Sequence, residues 1–117
     1  MKEFQLNRTF TTLTESKRLL AAGVPANTAD CYHWCTEEGY TPGILPNGCT
    51  YDEYTQGKDN YTPCWSVGRL IWIFIKASLC DDSIFTFRKK HPQLDIDYCI
   101  KGLEANKEYY DFSEVLK

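Results

Sequence analysis

Two short stretches hold the side chains best suited to chemistry, Cys31-Tyr32-His33-Trp34-Cys35 and Cys64-Trp65. Cys64 stands just before an apolar run headed by Ser66. A thiol at a helix N-terminus has a lowered pKa and becomes nucleophilic. His33 and His91 are the two imidazoles available as a partner base. Cys31, His33 and Cys35 alternate, so on a strand they share one face. All three are zinc-ligand types, but a structural zinc takes about four ligands in a tetrahedral array. The rest would have to come from Cys49, Cys64, Cys80, Cys99 or His91, among which no tightly spaced second pair exists. Core thiols on a buried strand are the simpler reading.

The carboxylate pairs Glu37–Glu38, Asp52–Glu53, Asp81–Asp82 and Asp95–Asp97 lack a neighbouring histidine or third acid in sequence, so they read as solvated. The chain has no phosphate loop, dinucleotide fingerprint or nucleophile elbow. No residue is therefore assigned a catalytic, metal-binding or cofactor-binding role, and the expectation is a protein without a cofactor that is not an enzyme.

What remains is a binding composition. The 117 residues include eight Tyr, six Phe and three Trp. Tyr32, Tyr40, Tyr51, Tyr54 and Tyr61 gather with Trp34 in the segment 30–64, where six acids face Lys58 alone, a net of −5. Tyrosine and tryptophan bury much area at little entropic cost, which suits a protein-binding surface. Single-stranded nucleic acid also stacks on aromatics but needs a basic groove, and the overall charge of −3 argues against one. Tyr51, Asp52, Glu53, Tyr54 and Tyr61 are the candidate protein-binding residues.

The elements that must position these residues begin with an extended segment over 2–11, with Phe4, Leu6 and Phe10 inward. Thr12-Leu13-Thr14-Glu15 is a capping box that opens a helix ending at Gly23 and Pro25. The Cys31–Cys35 stretch suits a strand. Pro46-Asn47-Gly48 predicts a hairpin with arms 40–45 and 49–54. Leu70 to Ile75 is apolar throughout and must be buried. Its Ile and Trp suit a buried strand, while Val67, Leu70, Ile71 and Phe74 at i, i+3, i+4 and i+7, with Ser66 as N-cap, favour a helix over 65–77; the pattern alone leaves both open. The run is bracketed by Arg69 and Lys76 and falls well short of the roughly 20 residues of a membrane span. Alternation predicts two further strands, 84–88 and 94–100. Ser113-Glu114-Val115-Leu116-Lys117 reads as a helix start with too few residues to persist, a frayed turn or a lost C-terminal helix. Met1–Arg8 lacks an apolar leader core, so a cytosol with reduced thiols is expected.

Two stretches together carry a family resemblance. They are Leu13-Thr14-Glu15-Ser16-Lys17-Arg18-Leu19-Leu20-Ala21-Ala22-Gly23-Val24-Pro25-Ala26-Asn27-Thr28-Ala29-Asp30 and Pro63-Cys64-Trp65-Ser66-Val67-Gly68-Arg69-Leu70. In these the chain resembles a family of small uncharacterised proteins encoded by phages, prophages and integrated elements of gut bacteria. In that family the second stretch reads as Pro, a small residue, Trp, Ser and an apolar helix, which implies a packing role for Cys64. Members commonly continue into a C-terminal apolar helix, and this chain departs from them at Lys117. The resemblance implies a bacterial cytoplasmic setting and brings no catalytic residue. Cys64-Trp65 is also similar to the Cys-Trp pair of papain-like proteases, but the Gly, Ser and Cys that should precede it are absent.

These readings converge on one α+β domain over 1–117. An antiparallel sheet of four or five strands packs against helices at about 13–23 and 65–77. The expected function is a non-enzymatic interaction module of a mobile element that binds a host or phage protein, with neither nucleic acid nor membrane as partner. The alternatives are a small thiol enzyme using Cys64 with a histidine base, or a structural component of a phage assembly.

Overall fold

Helix α1, Leu13–Ala21, starts at the capping box. The Thr12 hydroxyl accepts from the Glu15 backbone N–H at 3.2 Å, and the Glu15 carboxylate accepts from the Thr12 N–H at 2.9 Å. The helix ends ahead of Gly23, whose φ of 99° needs the freedom of glycine. The computed structural model describes residues 9–77, 84–92, 95–105 and 112. A single 3₁₀ turn, Ala26–Thr28, then leads into strand β1, Cys31–Thr36.

Strand β1 is the centre of a three-stranded antiparallel sheet in the order β2-β1-β3, with β2 at Gly39–Ile44 and β3 at Tyr61–Cys64. The β1–β2 hairpin turns at Glu37-Glu38, with Thr36 opposite Gly39. Pro46-Asn47-Gly48 is a turn, closed by Cys49 N–H to the Pro46 carbonyl at 3.0 Å, but not the expected hairpin. Its second arm is helix α2, Tyr51–Thr55, because Thr50 and Glu53 form another capping box.

Beyond β3 the chain enters helix α3, Val67–Ala77. The Ser66 hydroxyl caps it, accepting from the Arg69 N–H at 3.1 Å and donating to the Asp30 carboxylate at 2.6 Å. The segment before α1 lies antiparallel to this junction: Thr11 N–H donates to the Trp65 carbonyl at 2.9 Å and Val67 N–H to the Thr9 carbonyl at 2.7 Å. Trp65 is fully buried, and its indole N–H donates to the Thr28 hydroxyl at 2.9 Å.

The runs expected as strands at 84–88 and 94–100 are helices, α4 at Ile84–Lys90 and α5 at Ile96–Ala105. Asp95 caps α5 by accepting from the Tyr98 N–H at 2.8 Å, and Ile96, Cys99, Ile100 and Leu103 then recur with helical spacing and are buried. Alternation over seven residues was a fragment of that longer period, so the described sheet has three strands rather than four or five. Asp95 thus serves as a cap, and Asp97 forms an i,i+4 pair with Lys101.

Helix α1 packs on β3 and on α5, and α3 packs on α5 and α4. The core runs from Leu19 and Trp65 through Leu70, Ile71, Ile73 and Phe74 to Ile100 and Leu103. Arg18 ties α1 to α5 through two bonds to Glu104, at 2.9 and 2.6 Å. Among the described residues, no helix is long and apolar enough to cross a membrane. The extended reading of 2–8, the aspartate pair 81–82 and the helix start at 113–117 lie outside the described residues.

Candidate functional site

The two faces of β1 carry different chemistry, because successive side chains point to opposite sides. Tyr32 and Trp34 point outward. The ladder sets Tyr32 beside Pro63 and Gly43, and Trp34 beside Tyr61 and Thr41. The Tyr54 ring, delivered by α2, stacks on Tyr32 at 4.8 Å between centroids, and Tyr61 meets both rings edge-on at 5.6 and 5.9 Å. The Tyr54 and Tyr32 hydroxyls share a hydrogen bond at 3.1 Å, and this pairing pushes the Tyr32 pKa up to about 12. Trp34 is 46% exposed and Tyr54 37%, both high for aromatic residues in so small a fold.

Gly43 is a condition of this arrangement. The Tyr32 ring lies over it so closely that a Cβ there would collide with the ring. The absent side chain leaves the floor on which the Tyr32 ring rests.

Of the candidate protein-binding residues, Tyr54 is on this surface and Tyr61 half-buried within it, while Asp52 and Glu53 are exposed on α2. Glu53 also caps its own helix. Its carboxylate accepts from the Thr50 N–H at 2.9 Å, which holds its pKa below the usual carboxylate range. Tyr51 is buried, and burial, then Asp52, pushes its pKa up to about 12. It anchors α2 and offers no contact surface. Tyr32 and Trp34 join the surface instead. The signal for them was their odd spacing from Cys31, His33 and Cys35, which sends the aromatics to the opposite face from the thiols.

Family models, curated proteins and solved structures yield no match to this chain.

The inner face holds a thiol–imidazole cluster. Cys31 opposes Cys64 across the β1–β3 ladder, and His33 is the next inward residue. His33 is buried, and its Nε2 lies 2.9 Å from the Thr11 carbonyl. A carbonyl only accepts, so Nε2 carries the proton and the neutral ring has its bare lone pair at Nδ1. Nδ1 makes no well-formed hydrogen bond, although the Cys64 sulfur is near enough to the ring to shift both groups. Cys64 lies below the ordinary thiol range, foremost through the bond from the Cys31 thiol and against its own burial, with His33 adding to the shift. Cys31 moves the opposite way for the same reason, and burial and Asp30 raise it further. For His33, burial opposes the charge but Cys64 and Thr11 outweigh it, and the pKa is raised.

Of the two candidate bases, the structure brings His33 to Cys64. His91 stacks on Phe87 at 4.3 Å and bonds the Tyr98 hydroxyl at 3.0 Å. Cys35 does share the inward face with Cys31 and His33, but its sulfur turns to the His33 carbonyl and the Thr62 hydroxyl, each at 3.9 Å. Among the described residues, no group of three or more His, Cys, Asp or Glu is arranged to hold a metal ion.

Proposed function

We propose that the chain is a non-enzymatic protein-interaction module and that Tyr32, Trp34, Tyr54 and Tyr61 form its contact surface. The observation that carries this reading is a mutually packed cluster of Tyr32, Tyr54 and Tyr61 beside the exposed Trp34, set in a segment of net charge −5. Asp52, Glu53 and the hairpin acids Glu37 and Glu38 are exposed within the same segment, so the partner is a protein segment bearing lysine or arginine. Rigid tyrosine and tryptophan rings lose little entropy on docking, and arginine packs well on their faces. The likeness of residues 13–30 and 63–70 to small phage and prophage proteins supports a mobile-element gene acting in a bacterial cytoplasm on a host or phage protein.

The test is capture from nuclease-treated bacterial lysate with wild-type protein and with the double variant Trp34→Ala/Tyr54→Ala. A stoichiometric partner that the variant loses, and that raised salt releases, supports the reading. Retention of every partner by the variant, or the absence of any partner, refutes it.

A thiol enzyme is the second reading, and the juxtaposition of Cys64 with His33 favours it. Against it, Cys64 is 0% exposed and its thiol donates to the Thr11 carbonyl at 3.4 Å, so a bulky substrate has no path to the sulfur.

A further inference from the structure

We infer that Cys31 and Cys64 are a redox-active dithiol that exchanges with small neutral disulfides, which reach it through an apolar groove over Cys31. The phase of the β1–β3 ladder places the pair. Cys35 N–H donates to the Asn60 carbonyl at 2.7 Å, which makes residues 35 and 60 a hydrogen-bonded pair. Such pairs alternate along an antiparallel ladder, so 33 with 62 and 31 with 64 are also hydrogen-bonded pairs. Pro63, which has no N–H, falls opposite Tyr32 at an intervening site where none is needed. Hydrogen-bonded pairs hold their Cα atoms about 5.5 Å apart, inside the range of about 4.4–6.8 Å that a disulfide spans.

The two thiols are unequal in access. Cys31 is 6% exposed and forms the floor of a groove of about 320 Å³ walled by Thr9, Phe10, Pro42, Gly43, Ile44 and Ser66. Ile44, on the edge strand, is 82% exposed and keeps one wall open to solvent. Cys64 lies behind Cys31. One sulfur is therefore the entry point and the other resolves.

The Cys31 thiol gives its proton to solvent in the groove, and the thiolate attacks one sulfur of the incoming disulfide RSSR. The first RS⁻ leaves, and a mixed disulfide remains on Cys31. Cys64 then passes its own proton to the unpartnered Nδ1 of His33, attacks the Cys31 sulfur and expels the second RS⁻. The two protein sulfurs lose two electrons, and RSSR becomes two thiolates. The cross-strand bond is strained, because opposed Cβ atoms at a hydrogen-bonded pair sit near 5.5 Å and a disulfide needs about 3.5–4.5 Å. Strain favours reopening, so the pair cycles rather than locking.

The experiment uses hydroxyethyl disulfide on protein in which Cys35, Cys49 and Cys80 are serine, followed by intact mass and peptide mapping. The expected product has lost two hydrogens and links Cys31 to Cys64, and a modest excess of monothiol reopens it. Adding Cys64→Ser should trap one hydroxyethylthio group on Cys31. Adding Cys31→Ser should leave Cys64 slower to react by about tenfold or more, since it has no access. The inference is overturned if Cys64 in the Cys31→Ser protein reacts as fast as Cys31 does, or if no Cys31–Cys64 link forms. Mapping wild-type protein under the same conditions supplies the same readout if the serine background does not fold.

Discussion

Gly43→Ala should dismantle the aromatic surface without changing any side chain that touches a partner. Gly43 does not lie in the positive-φ region, so alanine fits its backbone, and the cost comes from the Tyr32 ring. Displacing that ring forfeits its stack on Tyr54 and its edge contact with Tyr61, about 0.5–1.5 kcal/mol each. Against this, alanine in place of glycine inside a strand gains about 0.5–1 kcal/mol. The balance is a loss of up to about 2.5 kcal/mol, a fall in Tm of up to roughly 10 °C for a domain of this size. Denaturant unfolding followed by circular dichroism reads it, with the near-ultraviolet tyrosine band reporting the rings directly. The decisive comparison is the same change made in Tyr32→Ala protein. With no ring to displace, only the backbone gain of about 0.5–1 kcal/mol remains, so Gly43→Ala should become stabilising there. An equal loss in both backgrounds would refute the reasoning, because the cost would then not pass through Tyr32.

Thr28→Val keeps the shape but strips the acceptor from the buried Trp65 indole. It should cost about 1–3 kcal/mol by thermal melt. Thr28→Ser keeps the hydroxyl, gives up a methyl worth about 0.8 kcal/mol, and should be the milder of the two. Arg18→Met breaks the bond that, ahead of any other cause, lowers the Glu104 pKa. A carboxylate depressed in the folded state stabilises above its unfolded pKa of about 4.3 and loses that contribution as pH falls through the folded value. The difference between wild type and Arg18→Met should therefore be about 0.2–1 kcal/mol at pH 7, as for a solvent-exposed pair, and should vanish in acid and shrink in high salt.

Residue type and spacing placed α1 and favoured a helix for α3, where Ile and Trp also suit a strand. Each opens with a side-chain cap, at Thr12 and Ser66, and each carries helical apolar spacing, so the local signals agreed with the final packing. The separation of the thiols from Tyr32 and Trp34 was equally legible once β1 was taken as a strand, because the two-residue period admits one outcome. Helices α4 and α5 were not legible from their first residues. Short runs such as Ile84–Arg88 satisfy either period, and burial against Phe74 and the helical core decided between them. The hairpin also turned at Glu37-Glu38 and not at Asn47-Gly48, since Thr50 and Glu53 cap a helix where the second arm was expected.

Only tertiary structure could bring Cys64 to Cys31 and His33, residues about thirty positions apart, or lay Tyr54 on Tyr32. Sequence sets which side of a strand a residue occupies, because that follows from local backbone geometry. Which strand lies beside it, and in what register, depends on the burial of the whole chain. The aromatic surface and the facing of the two thiols across the ladder both arise at that second level.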